Sequence, residues 1–316
     1  MKNILFPKVL IISNIYDFST DFVCQELSKR SVEYLRINRD DLIDYEISFN
    51  PLLPEITGTV NDIHFSVTSE TLKSVYYRAP SFLRDIYQDL KNEEEQLIRT
   101  QWTAFLRYLI VFDNAKWLNN PADIYKAEIK SYQLYIANKI GFNVPETIIT
   151  NKISEPLHDK VAIKSIDTAI VNIDANEGFV YTELYHKDEL TEEVFSAPFF
   201  IQEGIVPKID IRVTVVEEQV IAIKISDKKE ESSIDIDWRR LKNELSYELF
   251  ELPETVENLC RELLKKLNLK FGGIDLVLQN EKFFFIEINP TGEWSWLQQT
   301  TGVKIDSVIV NSLVEC

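Results

Sequence analysis

An aspartate on one apolar run and a glutamate and asparagine on the next stand close together near the carboxyl end of the chain. The stretch reads Phe271-Gly-Gly-Ile-Asp275-Leu-Val-Leu-Gln-Asn-Glu-Lys-Phe-Phe-Phe-Ile-Glu287-Ile-Asn289. Side chains on a strand alternate faces, so Glu287 and Asn289 point the same way. With a three-residue loop, Asn280-Glu281-Lys282, Gln279 faces Phe283 and Asp275 faces Glu287. With a two-residue loop Asp275 faces Ile286 and the carboxylates diverge. The first register is the expected one. It makes a compact set of hard oxygen ligands for Mg²⁺, an ion that also holds nucleotide phosphates. Ordinary polar positions on a half-exposed hairpin are the plain alternative. The surrounding Phe283, Phe284, Phe285 and Ile286 argue against it, because acids rarely sit in such a run unless paired or metal-bound.

Cations that complement such a site lie upstream. Lys164 ends the apolar run Val161-Ala-Ile-Lys164, where an unpartnered ammonium is costly; a lysine snorkelling at a strand end is the alternative. Lys130 alone is an ordinary helix-surface lysine. With the hairpin acids, Lys130 and Lys164 become candidates for holding ATP phosphates as point charges. Ile201-Gln202-Glu203-Gly204 carries a glycine expected inside a strand. There it either lets adenine approach the backbone or marks a bulge. Asp210-Ile211-Arg212 puts an acid and an arginine on one strand face, as a guanidinium held for a second anion or as a structural ion pair. Asp237-Trp238-Arg239-Arg240 adds two cations beside an aromatic, or is a solvated loop.

The elements that must position these residues follow from pattern. Val9–Ser13 reads as a buried strand, followed by a helix capped at Ser19 or Thr20 with Phe22, Val23 and Leu27 as its stripe. Tyr34–Ile37 is the next strand, and no glycine-rich phosphate loop opens this unit. Short strands are expected at Glu55–Val60, His64–Val67 and Ser74–Tyr77, then helical structure over about Leu83–Phe112. After a break at Trp117–Pro121, one helix is expected over roughly Asp123–Ile140, with Lys126 and Lys130 on a shared face and Gly141 as its stop. Strands follow from Val144 and at Val161–Lys164, with a second break at Ser196–Pro198. Phe199–Ile205, Asp210–Glu217 and Val220–Ile225 read as one antiparallel sheet. Glu254–Leu267 is an amphipathic helix leading into the acidic hairpin.

Composition narrows the class. The chain has 316 residues, enough for a large core in two or three lobes, and 45% apolar residues, as a globular protein has. A formal charge of −17 argues against wrapping a nucleic-acid backbone, and anionic substrates would need a local basic funnel. The apolar runs are too short to span a bilayer. Cys24, Cys260 and Cys316 lack metal spacing, Cys260 reads as a small core residue, and a cytoplasmic location is expected. His64, His158 and His186 are scattered, which supports neither a zinc cluster nor a histidine triad.

Taken in order, these pieces resemble the ATP-grasp superfamily of carboxylate ligases. The order is a lysine on a helix, a lysine on a strand, Gln-Glu, Asp-x-Arg, then Asp with Glu-x-Asn. More narrowly, the chain is similar to the ATP-grasp peptide maturases that make graspetides, the microviridin-like and plesiocin-like ribosomal peptides. Ser19–Val23, Tyr76-Tyr-Arg-Ala-Pro80, Trp117-Leu-Asn-Asn-Pro121, Val144–Asn151, Tyr181-Thr182 and Glu287-Ile-Asn-Pro-Thr-Gly-Glu-Trp294 extend the resemblance over nearly the full length.

The resemblance implies an α/β and α+β chain with a three-lobe ATP-grasp fold. Residues 1–116 would form a pre-ATP-grasp α/β domain, 117–197 the central lobe where a leader peptide docks, and 198–316 the C-terminal lobe with the metal site. Lys130 and Lys164 would contact ATP phosphates, and Gln202 and Glu203 would lie beside adenine and ribose. Asp275, Glu287 and Asn289 would hold Mg²⁺. Arg212, with Asp210, Tyr181 and Thr182 nearby, would receive the acidic side chain of a precursor peptide, and Arg239 would face the transferred phosphoryl group. The activity implied is phosphorylation of a Glu or Asp side chain and ring closure by Ser, Thr or Lys, in an enzyme that is often a homo-oligomer. A ligase that adds a free amino acid, and a silent nucleotide- or peptide-binding module, are the alternatives. Ser165–Gly178 holds a single glycine where many relatives have a glycine-rich phosphate flap, and Pro207 stands where several carry a ribose-binding acid.

Overall fold

The computed structural model describes residues 4–78, 92–154, 158–167, 170–173, 176–179, 182–228 and 245–315. Its amino-terminal part is built on a four-stranded parallel sheet in the order Tyr34–Asn38, Val9–Ser13, Ser74–Tyr77, Lys116–Leu118. The central strand is covered on both faces, which explains its unbroken apolar run. Leu10 and Ile12 enter one core with Phe65, Phe112 and Trp117. Val9 and Ile11 enter another with Tyr76, Trp294 and Ile309.

The helix after that strand, Phe18–Lys29, is capped by Asp17, whose side chain accepts from Thr20 N; Ser19 and Thr20 are buried within its first turn. A second sheet, in the order Ile4–Leu5, Ile63–Thr68, Glu55–Val60, Glu46–Asn50, packs on the first core. Within the stretch expected to be helical, Asn92 caps the helix Glu93–Tyr108 by accepting from Glu95 N.

The expected single helix over 123–140 is two, Pro121–Ala127 and Lys130–Ile140. Asn120 caps the first with Pro121 at its first position, a favourable start because proline's missing N–H is not needed there. The break places Lys126 over the Tyr132 ring, 4.9 Å from its centroid, so Lys126 does not share a helix face with Lys130. Gly141 closes the second helix at φ 105°, where a side chain is strained.

The next sheet is antiparallel, in the order Glu183–His186, Lys160–Lys164, Glu193–Glu203, Thr147–Ile153. Its strand Glu193–Glu203 runs straight through the expected break at Ser196–Pro198. The register shifts there, between Val194 and Phe199, and an irregular stretch tolerates a proline that cannot donate to a ladder. Phe199–Glu203 therefore belongs to this sheet and not to the one that follows.

The chain enters the last sheet at Ile209. That sheet is antiparallel and five-stranded, in the order Leu245–Phe250, Gln219–Asp227, Ile209–Val216, Phe271–Gln279, Lys282–Asn289. The helix Glu254–Lys266 buries Val256, Cys260, Leu263 and Leu264 on the periodic stripe the sequence shows. Two further helices, Ser295–Thr301 and Ile305–Val314, carry the chain back to the parallel sheet, where Ser74 Oγ donates to Leu313 O at 2.7 Å.

Candidate active site

The acidic hairpin reaches the expected pairing by an unexpected route. Gln279 faces Lys282, so the loop has the two residues Asn280 and Glu281, both with positive φ (47° and 63°). A two-residue loop with both φ positive matches the right-handed strand twist. Continued regularly, that register would set Asp275 against Ile286. A β-bulge intervenes: Leu276 pairs with Phe285 and Asp275 with Glu287, leaving Ile286 as the extra residue. Asp275 and Glu287 thus stand directly opposite each other, with Asn289 two residues further along, opposite Gly273.

The row continues across the sheet, because Asp275 also pairs with Arg212 of the strand Ile209–Val216. Arg212 Nη1 donates to Asp275 Oδ1 at 2.8 Å. Asp210 forms its ion pair with Lys208, so the acid seen holding Arg212 is Asp275. Glycines make room for the guanidinium. A Cβ on Gly273 or on Gly292 would overlap Arg212 Nη2, and one on Gly273 would also lie 2.7 Å from Cζ. Arg212 is 7% exposed, and its Nε–H has no acceptor among the described residues. A buried donor without a partner is costly, and an anionic ligand would satisfy it.

Two buried amides, Gln133 and Asn119, and the exposed Asn143 hold this hairpin in place. Gln133 accepts from Ile288 N at 3.1 Å and donates to Ile288 O at 2.8 Å and Ala127 O at 2.6 Å. Asn143 donates to Phe283 O, and its own carbonyl accepts from Phe285 N at 2.8 Å. Both cover the open edge of the strand Lys282–Asn289, whose ladder groups would otherwise be unpaired. Asn119 donates to Phe271 O and Pro290 O and accepts from Lys270 N and Phe271 N, tying the two strand ends together. At the start of the helix Lys130–Ile140, Lys130 brings its ammonium 3.8 Å from Glu287 Oε2.

A second cluster forms on the preceding sheet. Lys164 donates to Gln202 Oε1 at 2.6 Å, and Gln202, 3% exposed, donates in turn to Thr147 Oγ1 at 2.9 Å. Glu203 pairs its backbone N–H with Glu146 O. Gly204 lies just past the strand end, and the space a side chain would need is filled by Leu184 Cδ1 and the Lys160 carbonyl at 2.8 and 2.9 Å. Its smallness serves packing between strands.

Thr182 lies half-buried ahead of the strand Glu183–His186. Tyr181 and Arg239 lie outside the described residues. Part of the segment expected to hold the flap forms an antiparallel hairpin, Ile170–Ile173 with Asn176–Phe179.

One participant has no role in the sequence reading. Arg78 is buried at the end of the strand Ser74–Tyr77 and bonds to the loop that directly follows Asn289. The motifs Tyr76-Tyr-Arg-Ala-Pro80 and Glu287–Trp294 contain both ends of this contact, but neither motif by itself implies the other.

The donor set therefore fits a hard divalent cation: two carboxylates and an amide oxygen in one row, with an ammonium and a guanidinium beside them. A parallel α/β domain followed by two antiparallel sheets, with this row on the last, is the architecture of an ATP-grasp enzyme. Residues 126–313 match the family model described as the RimK-like ATP-grasp domain, and the chain belongs to that family of ATP-dependent ligases.

Among solved structures, the chain is similar to a RiPP-associated ATP-grasp ligase of Chryseobacterium gregarium, in complex with ADP and a leader and core peptide. The TM-score is 0.83 at 28% identity, covering 98% of this chain and 97% of that one. The fold is also that of the macrocyclase MdnC of Microcystis aeruginosa MRC, bound with the precursor peptide MdnA (TM-score 0.79, 20% identity, 98% and 99% covered). A curated relative, the tetrahydromethanopterin:α-L-glutamate ligase of Methanocaldococcus jannaschii, is 26% identical over 238 residues, 68% of this chain and 76% of that protein. Among the described residues no helix is long and apolar enough to cross a membrane.

Proposed function

We propose that this chain is a peptide ligase that uses ATP to activate Glu or Asp side chains of a ribosomal precursor peptide and closes ester or amide crosslinks with Ser, Thr or Lys. The observation that carries the reading is Arg212: a buried guanidinium, cradled by Gly273 and Gly292, with an unpartnered N–H beside the oxygen-donor row. A substrate carboxylate supplies the missing acceptor and is fixed by a bidentate fork. The likeness to a ligase solved with leader and core peptides, over nearly the whole of both chains, supports a peptide as the carrier of that carboxylate.

In this reading Asp275, Glu287 and Asn289 hold Mg²⁺, which would neutralise phosphate charge as the phosphoryl group moves. Lys130 and Lys164 bind phosphate oxygens, Gln202 and Glu203 line the nucleotide end, and Arg239 faces the transferred group. A carboxylate oxygen of the peptide attacks the γ-phosphorus of ATP, the bond to ADP breaks, and an acyl-phosphate results. A hydroxyl or amine of the same peptide then attacks the acyl carbon. Phosphate departs, and the attacking group loses its proton. The protein's own part is positioning and charge neutralisation in a site that must exclude water. No protein nucleophile is required.

The test is mass spectrometry of the acidic, Thr/Ser/Lys-containing peptides encoded beside the gene, incubated with enzyme, ATP and Mg²⁺. Each crosslink removes one water. ADP release with no change in peptide mass would reject cyclisation. A second reading, addition of a free amino acid to a carboxylate, is favoured by the match to the glutamate ligase and would appear as a mass gain when amino acids are supplied.

A further inference from the structure

In parallel α/β sheets, ligands bind outside the carboxyl ends of the strands where the strand order reverses. Here that point lies at the ends of the neighbouring strands Val9–Ser13 and Ser74–Tyr77, which Ser13, Asp17 and Arg78 line. The crevice is filled by the chain itself. Arg78 Nη1 donates to Thr291 O at 2.8 Å and Gly292 O at 3.0 Å, and Nη2 donates to Glu293 Oε1 at 2.7 Å. Asp17 holds the other edge of the guanidinium, accepting from Nε at 2.9 Å. Asp17 is itself fixed by Ser13 Oγ and by Thr20 N and Oγ1. Ser19 Oγ donates to Glu293 Oε2 at 2.6 Å and accepts from Trp294 N and Ser295 N. Arg78 and Ser19 are directed at the backbone and side chains of 291–295, and Asp17, Ser13 and Thr20 hold Arg78 in place behind them.

That loop directly follows Asn289, and its Gly292 is one of the two glycines packed against Arg212 Nη2. Arg78 and Arg212 therefore grip one loop from two sides, Arg78 through the carbonyls of Thr291 and Gly292, Arg212 against the bare Cα of Gly292. The first contact comes from the amino-terminal domain and the second from the last sheet.

We propose that Arg78 is a positioning residue for the substrate-carboxylate site: the amino-terminal domain uses its ligand crevice to seat the loop Thr291–Glu293, and that loop sets the guanidinium of Arg212. The proposal rests on the reading of Arg212 as the carboxylate-binding group. Buried carbonyls given up by Arg78 would seek other donors, the loop would move, and Gly292 would no longer back the fork. Displacements of about an ångström at such a site cost on the order of 10²-fold in rate.

The experiment follows the Nε–H of Arg212 by ¹⁵N NMR in the full-length protein, assigned by its loss in Arg212→Lys. Two variants are compared with wild type: Asp17→Asn with Arg78→Met, which removes both buried charges together, and Gly292→Ala, which leaves the Asp17–Arg78 pair intact and crowds Nη2 directly. Both are expected to speed hydrogen exchange at Arg212 Nε roughly tenfold or more, while the affinity for ADP with Mg²⁺, read by calorimetry, stays within about twofold. Should the double variant fail to fold, Arg78→Lys replaces it, because it keeps the buried charge but cannot hold both loop carbonyls and both carboxylates, and Gly292→Ala remains the check that Arg212 responds to the loop. Exchange within about twofold of wild type in a folded variant, or a parallel loss of ADP affinity, overturns the proposal. The measurement needs no peptide, so its outcome is separate from that of the crosslinking assay.

Discussion

Asp275 stands opposite Glu287 because the strand Lys282–Asn289 carries one residue more than its partner, Ile286. The tight turn alone would have separated the two carboxylates. The bulge returns them to one row with Arg212, and the amide of Gln133 fixes the strand by two hydrogen bonds one residue further on, at Ile288. Local bending of this kind re-aims side chains at the cost of one unpaired residue.

If that row binds Mg²⁺, Glu287→Gln, which keeps shape and removes charge, should remove crosslinking and leave the fold intact. ADP should bind wild type more tightly when Mg²⁺ is present. In the variant that increment should shrink by at least roughly 10- to 100-fold, the loss typical even of groups that only orient metal ligands. Calorimetric titrations with and without Mg²⁺ read the difference directly, and an undiminished increment removes Glu287 from the metal set.

Much of this arrangement was legible in the residue pattern, and the misses have physical causes. The strand Val9–Ser13, the strands Glu55–Val60 and Ser74–Tyr77, and the helix from Glu254 follow from periodicity, because burial on both faces or along one stripe leaves a strong mark. The strand Glu46–Asn50 leaves a weak one: its residues are half-buried or exposed and its edge position demands little. The facing of Asp275 and Glu287 was expected, but through a loop that does not form, since hairpin length alone does not reveal a bulge. The break between Ala127 and Lys130 was hidden by residues that are individually good helix formers. Asp17, Asn119, Gln133 and Arg78 act across 61 to 215 residues through backbone and side-chain partners, a separation that no local spacing encodes.

Gln133→Leu tests the pinned edge. Leucine fills much of the same volume but leaves Ile288 N–H and C=O and Ala127 C=O without their partners. Unsatisfied buried groups cost about 1–3 kcal/mol, so the urea midpoint should fall accordingly. Amide exchange at Ile288 should accelerate more than at Ile274 on the neighbouring strand. A stability equal to wild type would mean that the edge is satisfied without this amide.

Lys164→Met separates phosphate binding from structure. The ammonium is held by Gln202 at the end of a sheet strand, and its removal leaves the buried Gln202 Oε1 without that donor, so stability should fall by about 1–3 kcal/mol while the fold is kept. Crosslinking should be lost, because a point charge at the phosphates is not replaced by a thioether. Melting temperature and crosslinking by mass spectrometry, measured on one preparation, check both halves. A variant with full activity rejects the assignment of Lys164.

Arg212→Lys distinguishes the fork from the charge. Lysine retains a cation but presents no planar pair of donors and leaves part of the space beside Gly273 and Gly292 unfilled. Peptide modification should fall about 10²- to 10³-fold, the usual loss when a donor that steadies developing charge is removed. ADP affinity should be preserved. The reverse pattern, weakened nucleotide binding with intact crosslinking, would assign Arg212 to the nucleotide.

The Asp17–Arg78 pair makes acid stability predictable in sign. Burial alone would raise the Asp17 carboxyl, but the Arg78 guanidinium and the hydrogen bonds from Thr20 outweigh it and hold the carboxyl well below the usual carboxylate range. A carboxyl that is depressed in the folded state stabilises fully above its unfolded pKa, about 3.9, and loses that contribution as pH falls towards the folded value. At neutral pH, Asp17→Asn should cost about 3–5 kcal/mol, because it leaves a buried guanidinium without the carboxylate on its Nε side. Between pH 5 and pH 3 the gap between wild type and variant should narrow by about 1 kcal/mol, as protons bind the unfolded wild-type chain but not the folded one. Urea denaturation of both proteins at pH 7, 5, 4 and 3 measures it. A gap that stays constant down to pH 3, or widens, would show that the Asp17 carboxyl is not held ionised by Arg78, and that the crevice is closed by neutral hydrogen bonds instead of by charge.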